Sequence, residues 1–235
     1  MNRFNSSQSI GEIVSIMPQA SEIFKKYKID FCCGGNRQLS DVLSELSLNE
    51  DKLLKEIHDK LDEISNAKEI FLDFRKLTSS ELIYHIENTH HAYTKKVLSE
   101  LGELTTKILR VHGMNHEELF KVHKLFSLLK ADLEQHLLKE EEILFPLIKK
   151  YEKAPSEKLL EKISETIKET EDEHDAAGDI LKELRKITHD FKVPKDGCNT
   201  YLLSYKLLEE LESDLFQHIH LENNILFKRL GLSLD

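Results

Sequence analysis

Tryptophan is absent from this 235-residue chain, and glycine, proline and cysteine are scarce, at eight, four and three residues. So few helix breakers, together with charged residues at 32%, favour long helices with wet outer faces over a strand-rich fold. An almost all-α protein is expected. Three cysteines, two of them adjacent, cannot build a disulfide framework and suit a reducing compartment. No apolar run approaches the roughly 18 residues that span a bilayer, and the polar start from Met1 to Ser9 lacks a signal-peptide core. The expected location is the cytoplasm. Lys and Arg number 33 against 43 Asp and Glu, a formal net charge of −10. That balance argues against a general nucleic-acid or anionic-membrane binder and suits metal cations or positively charged partners.

What the chain does contain is a repeat. Gln135-His136-Leu137-Leu138-Lys139-Glu140-Glu141-Glu142-Ile143-Leu144-Phe145 returns as Gln217-His218-Ile219-His220-Leu221-Glu222-Asn223-Asn224-Ile225-Leu226-Phe227, so that Gln-His-x-x-x-Glu-x-x-Ile-Leu-Phe occurs twice. Residues four apart share one helix face, about 6 Å apart along the axis, so each copy aims an imidazole and a carboxylate at one point. A single His-x-x-x-Glu is most simply a surface ion pair. Repetition, with an apolar turn directly after each copy, places the pair beside a buried stripe instead, where unpaired polar groups are costly.

The first 64 residues read as a small helical domain with a thin core. Ser9 with Glu12 forms a capping box for a short helix, and Pro18 starts a second that runs to about Tyr27. That helix ends at Asp30-Phe31-Cys32-Cys33-Gly34-Gly35, where the double glycine permits positive φ and close approach of another group. Short helices follow at about 40–46 and 50–64, the latter capped by Asn49. Residues 65–77 read as a linker, with Phe71, Leu72 and Phe74 docking it. Thr78 with Glu81 is a second capping box. Beyond it the 3.6-residue period continues through segments at about 79–110, 115–151, 156–190 and 198–230. Short connections make neighbouring helices antiparallel, so residues 78–235 form an up-down-up-down four-helix bundle.

In such a bundle, distance from the connecting turn sets height. His91 lies 22 residues before Gly113 and His136 lies 23 after it. His136 is 18 before Ala154 and His174 is 20 after. His174 is 21 before Lys195 and His218 is 23 after. Each helix therefore brings one histidine to a common level, and two helices add Glu140 and Glu222. Four imidazoles and two carboxylates exceed the four ligands of a structural zinc. They suit two ions about 3.5 to 4 Å apart, bridged by the carboxylates, with iron favoured and manganese or zinc also compatible.

Other polar residues are expected elsewhere. By helical rise His112 lies about 31 Å from His91 and reads as a turn or capping residue. His90 and His220 point about 100° away from the ligands beside them. Glu141, Glu142 and Glu173 read as solvated charges, while Glu87, one turn before His91, is placed to bond a liganding imidazole. His58, His85, His116, His123 and His189 form no constellation, and Cys198 reads as a small buried residue. Cys32 and Cys33 are candidate redox or metal-transfer thiols of lowered pKa, against the alternative of a packed pair at a helix end.

Asp30-Phe31-Cys32-Cys33-Gly34-Gly35 resembles the signature of the small N-terminal domain of bacterial iron-sulfur cluster repair di-iron proteins, the group called RIC, ScdA or YtfE. The likeness continues through Arg110-Val111-His112-Gly113, His136-x-x-x-Glu140-Glu141, Glu173-His174-Asp175 and the second repeat copy. It implies a hemerythrin-like bundle carrying two non-heme iron ions, carboxylate-bridged and compatible with an oxo or hydroxo bridge. The family site falls on His91, His136, Glu140, His174, His218 and Glu222, the six that levelling selects. Helix adjacency then pairs His91 with His218 on one iron and His136 with His174 on the other. The implied function is repair of clusters damaged by oxidative or nitrosative stress through iron supply, with Cys32 and Cys33 receiving or guiding the iron. A nitric oxide reductase at the same centre, and an oxygen- or nitric oxide-binding sensor or carrier, are the alternatives, so enzymatic activity is left open. Implied partners are damaged iron-sulfur proteins and small gases; nucleic acid and membrane are not expected, and a homodimer is left open. Lys228 stands where family members often have proline.

Overall fold

The computed structural model describes residues 4–67 and 73–231. Helix starts follow the capping chemistry. Ser9 accepts from the backbone of Glu12 at 3.2 Å, and Asn49 accepts from Lys52 at 2.8 Å. Thr78 and Glu81 close the full reciprocal box, with Glu81 N–H donating to the threonine hydroxyl at 3.2 Å and Thr78 N–H donating to the glutamate at 2.7 Å. The helices are α1 (Ile10–Ile16), α2 (Ala20–Lys26), α3 (Leu39–Glu45), α4 (Glu50–Ala67), α5 (Ser79–Ile86), α6 (Ala92–His112), α7 (Glu118–Lys139), α8 (Phe145–Lys153), α9 (Glu157–Ile187) and α10 (Asn199–Leu221). Among the described residues no strand occurs, only an isolated bridge between Ser9 and Gln38, and no helix is long and apolar enough to cross a membrane. The all-α expectation holds. α4 runs three residues past its expected end at Ile64, while Phe71 and Leu72 lie outside the described residues.

Among the described residues three π turns interrupt the bundle helices, at Glu87–His91, Glu140–Leu144 and Glu222–Leu226. They join α5 to α6 and α7 to α8, and extend α10. Periodicity of 3.6 cannot reveal them, because a π turn inserts one residue into an otherwise regular helix. α9 carries no such break.

By contacts the chain divides into residues 83–218 and residues 1–82 together with 219–235. In the first unit α6 packs on α7, and α7 on α9. One apolar cluster joins these helices to α10 through residues such as Leu101, Phe126, Leu129, Leu181, Tyr205 and Leu211. Complete burial of such side chains contributes about 1.5–3 kcal/mol each, so this cluster is the main stabilising term in the unit. The connection after α9 is tight: His189, Asp190 and Phe191 all take positive φ, at 51°, 61° and 54°, a region costly for non-glycine residues. Arg185 holds it in place, bonding Glu212 and Asp190 with its guanidinium 4.8 Å over the Phe191 ring.

In the second unit the N-terminal helices bury Ile10, Ile13, Phe24, Leu39, Leu53 and Ile57. α1 packs against the π turn Glu222–Leu226, as does the 3-10 turn Cys33–Asn36. Asn224 is the wedge between them, donating to the carbonyls of Cys32 at 2.9 Å and Phe31 at 3.4 Å. A Cβ on Gly11 would meet Asn224 at 2.3 Å, and one on Gly35 at 2.5 Å. Close approach, rather than positive φ, is therefore what the double glycine provides, since neither Gly34 nor Gly35 has positive φ. Residues 73–77 dock through backbone, the carbonyls of Phe74 and Leu77 each accepting from Arg229 at 2.6 Å. Gly35→Ala is expected to displace Asn224 and destabilise the protein by about 1–3 kcal/mol, read as a lower urea midpoint at unchanged m-value.

Candidate metal centre

His91 closes the first π turn, His136 lies near the end of α7, Glu140 opens the second π turn, His174 lies mid-way along α9, His218 lies near the end of α10, and Glu222 opens the third π turn. All six are buried, the two glutamates completely. Glu140 is the centre of the group. Its Oε2 lies 3.3 Å from His91 Nε2, 3.3 Å from His136 Nε2 and 3.9 Å from His218 Nε2. His91 and His218 meet Nε2 to Nε2 at 3.1 Å, and the His136 and His174 rings lie 4.9 Å apart. Ligand atoms of His91, Glu140 and His218 all fall within 4.8 Å of one another, and so do those of His136, Glu140 and His174. Glu222 follows His218 by one turn on the same helical run, repeating the relation of Glu140 to His136.

The acceptors behind two of these imidazoles fit the residues to a cation. His91 Nδ1 bonds Glu141 at 2.8 Å, and Glu141 also accepts from Lys95 at 2.7 Å. His136 Nδ1 bonds Glu173 at 2.8 Å, and Glu173 accepts from Lys139 at 2.8 Å. A carboxylate on Nδ1 keeps the proton there, so the Nε2 lone pair faces Glu140. Buried imidazole lone pairs and carboxylates are the donor set of a transition-metal ion. Hydrogen bonding from His136, then opposition from burial and help from Lys139, holds the Glu173 carboxyl at about 2. At Glu141 burial pushes upward, but the bonds from Lys95 and His91 outweigh it and the carboxyl stays below its usual range.

Glu141, half-buried, corrects the expectation of a solvated charge, while Glu173 is exposed as expected but also bonds His136. Glu87, expected to serve this role, instead pairs with Lys149 at 3.2 Å. Glu87 opens the π turn that His91 closes, and in an i→i+5 turn residues four apart no longer align. His90 bonds Asp214 at 2.9 Å and stacks on His218 with centroids 5.7 Å apart. His220 faces Ser15 at 3.4 Å and the Phe31 carbonyl at 3.3 Å, and burial lowers its pKa to about 4, so it is neutral.

Cys32 is buried and Cys33 half-buried. The expectation of a lowered thiol pKa fails at Cys32: the hydrogen bond to Cys33, then burial, then Asp30 raise it well above its usual value. A depressed thiol sits instead at Cys198, which is exposed rather than buried. Cys198 Sγ lies 3.3 Å from His112 Nε2, and that bond, followed by the backbone N–H of Tyr201, lowers the thiol to about 7. His116 stands beside this pair, bonding Asp196 at 3.1 Å and Glu118 at 3.2 Å. The α6–α7 turn and the start of α10 share one end of the bundle, which is why residues far apart in sequence meet there. His112 thus stays away from His91, at the far end of α6.

Replacing Glu141 or Glu173 by Gln is expected to weaken metal binding about 10–100-fold, read by competition with a chromogenic chelator at unchanged helical content. Alkylation of Cys198, followed by peptide mass spectrometry, should be lost as pH falls through about 7. His112→Ala should move that midpoint upward.

Residues 82–230 match the Hemerythrin HHE cation binding domain, and residues 6–61 match a Domain of Unknown function, DUF542. The chain is similar to the Iron-sulfur cluster repair protein ScdA of Staphylococcus haemolyticus (strain JCSC1435), 29% identical over 94% of this chain and 97% of the relative. It is also similar to the Iron-sulfur cluster repair protein YtfE of Escherichia coli O81 (strain ED1a), at 35% identity over 94% and 96%. The YtfE protein of Pectobacterium carotovorum subsp. carotovorum (strain PC1) is 34% identical over the same shares. With a cation-binding domain over most of its length and relatives of one kind from end to end, this chain belongs to the hemerythrin HHE family, among the ScdA and YtfE iron-sulfur cluster repair proteins.

Proposed function

We propose that the chain repairs damaged iron-sulfur clusters by supplying iron from a carboxylate-bridged pair of non-heme ions. His91, His136, Glu140, His174, His218 and Glu222 would hold them, His91 and His218 on one ion and His136 and His174 on the other. The observation that carries this reading is Glu140, a fully buried carboxylate facing imidazoles of three helices, in a chain whose relatives are named for cluster repair over 94% of its length. The ions are cargo as much as cofactor. Four of the six donors are neutral, so the two carboxylates offset only part of the charge that two divalent ions bring into a low-dielectric core. Such an imbalance suits a site that gives its ions up. Glu141 and Glu173 orient the imidazoles, and Lys95 and Lys139 neutralise those glutamates in turn.

Clients in this reading are iron-sulfur proteins damaged by oxidative or nitrosative stress, with nitric oxide and oxygen as small ligands of the same centre. The relatives' names favour neither the nitric oxide reductase nor the sensor alternative. The test is transfer of radiolabelled iron from the loaded protein to an apo-ferredoxin. Transfer should outpace an equal amount of free iron and be abolished, with iron content, in His136→Ala. Recovery no faster than with free iron sinks the proposal.

A further inference from the structure

Asp30, Cys32 and Cys33 bring a carboxylate oxygen and two sulfurs within 4.8 Å of one another, one of the convergences of metal-ligating side chains among the described residues. We infer that these three residues form a second cation site, of two thiolates and one carboxylate, for a borderline-soft divalent ion such as ferrous iron.

The distances carry it. Two thiolates on one tetrahedral ion at metal–sulfur distances of about 2.3 Å stand about 3.8 Å apart. Cys32 Sγ and Cys33 Sγ are 3.9 Å apart. A carboxylate oxygen on the same ion would lie about 3.5 Å from either sulfur. Cys32 Sγ is 3.2 Å from Asp30 Oδ1, shorter because the thiol proton still bridges them. The loop is built to hold this arrangement: Asp30 Oδ1 also accepts from the backbone N–H of Cys32 at 3.2 Å and of Gly34 at 3.1 Å. The carbonyls of Phe31 and Cys32 are in turn fastened by Asn224, two residues past Glu222. Asp30 and Cys33 are part-exposed, so the fourth position of a tetrahedral ion opens toward water or an exchanging ligand. Binding replaces two S–H bonds by two sulfur–metal bonds and releases two protons to solvent, with no change in oxidation state. A site with three protein donors and one open position is suited to passing an ion on. As a receiving site for iron it rests on the supply reading above; as a cation site it does not.

Cobalt(II) separates this site from the bundle once Cys198→Ser has removed the bundle's own thiol beside His112, because only thiolate ligation produces an intense near-ultraviolet sulfur-to-cobalt charge-transfer band. Titrated into the reduced full-length protein, Co2+ should give that band at one equivalent, and the band should persist in a Glu140→Ala, His136→Ala variant. Cys32→Ser and Cys33→Ser should each abolish it. Asp30→Asn keeps an oxygen for both backbone bonds but loses the charge, and should weaken Co2+ binding at least tenfold with helical content unchanged. Absence of the band in protein with both thiols titrated as free, survival of the band in either serine variant, or unaltered affinity in Asp30→Asn each overturns the inference. Failure of iron transfer with an intact cobalt band would count against iron supply alone.

Discussion

The bundle depends on a carboxylate with no exposure to water. Glu140 lies fully buried among imidazoles of three helices, and moving an ionised carboxyl from water to such a place costs several kcal/mol even after relaxation. Nothing in an apolar helical core would tolerate it. What makes the position tenable is a surrounding set of donors able to share a cation, so that the charge is offset at its source. The four helices are consequently obliged to converge at one height, and the apolar cluster of residues 97–215 provides the rigid frame that fixes it.

That central demand spreads outward in layers. Imidazole must present a lone pair inward, which requires a proton on the other nitrogen and an acceptor for it; Glu141 and Glu173 are those acceptors, and each is itself held by a lysine. Carboxylate, neutral imidazole, carboxylate and lysine thus follow one another from the buried centre outward. The π turns belong to the same demand. Each begins or ends at a candidate ligand, and a π turn lets a helix shift its facing residues without breaking its hydrogen bonding.

The N-terminal unit is organised around an amide rather than a charge. Asn224 occupies space left by Gly11 and Gly35 and ties down the carbonyls of the double-cysteine loop. Lys228 donates to the same amide at 3.3 Å, which adds a contact to the wedge. Buried amides of this kind specify geometry, since every hydrogen bond lost inside leaves a group unsatisfied.

Much of this was legible in order. The repeat of Gln-His-x-x-x-Glu named four of the six candidate ligands, because residues four apart on a helix are neighbours whatever the rest of the protein does. Equal distances from the turns named His91 and His174, because antiparallel helices of constant rise convert sequence separation into height. Capping pairs marked helix starts for the same local reason. Tertiary structure alone decided that Glu141 and Glu173 bond the outer nitrogens of His91 and His136, since each glutamate meets an imidazole carried by a different helix. It also decided that Glu87 turns to Lys149, that Cys198 meets His112 at a bundle end, and that Asn224 fills the room beside two distant glycines. Those are relations between side chains far apart in sequence, and no local period encodes them.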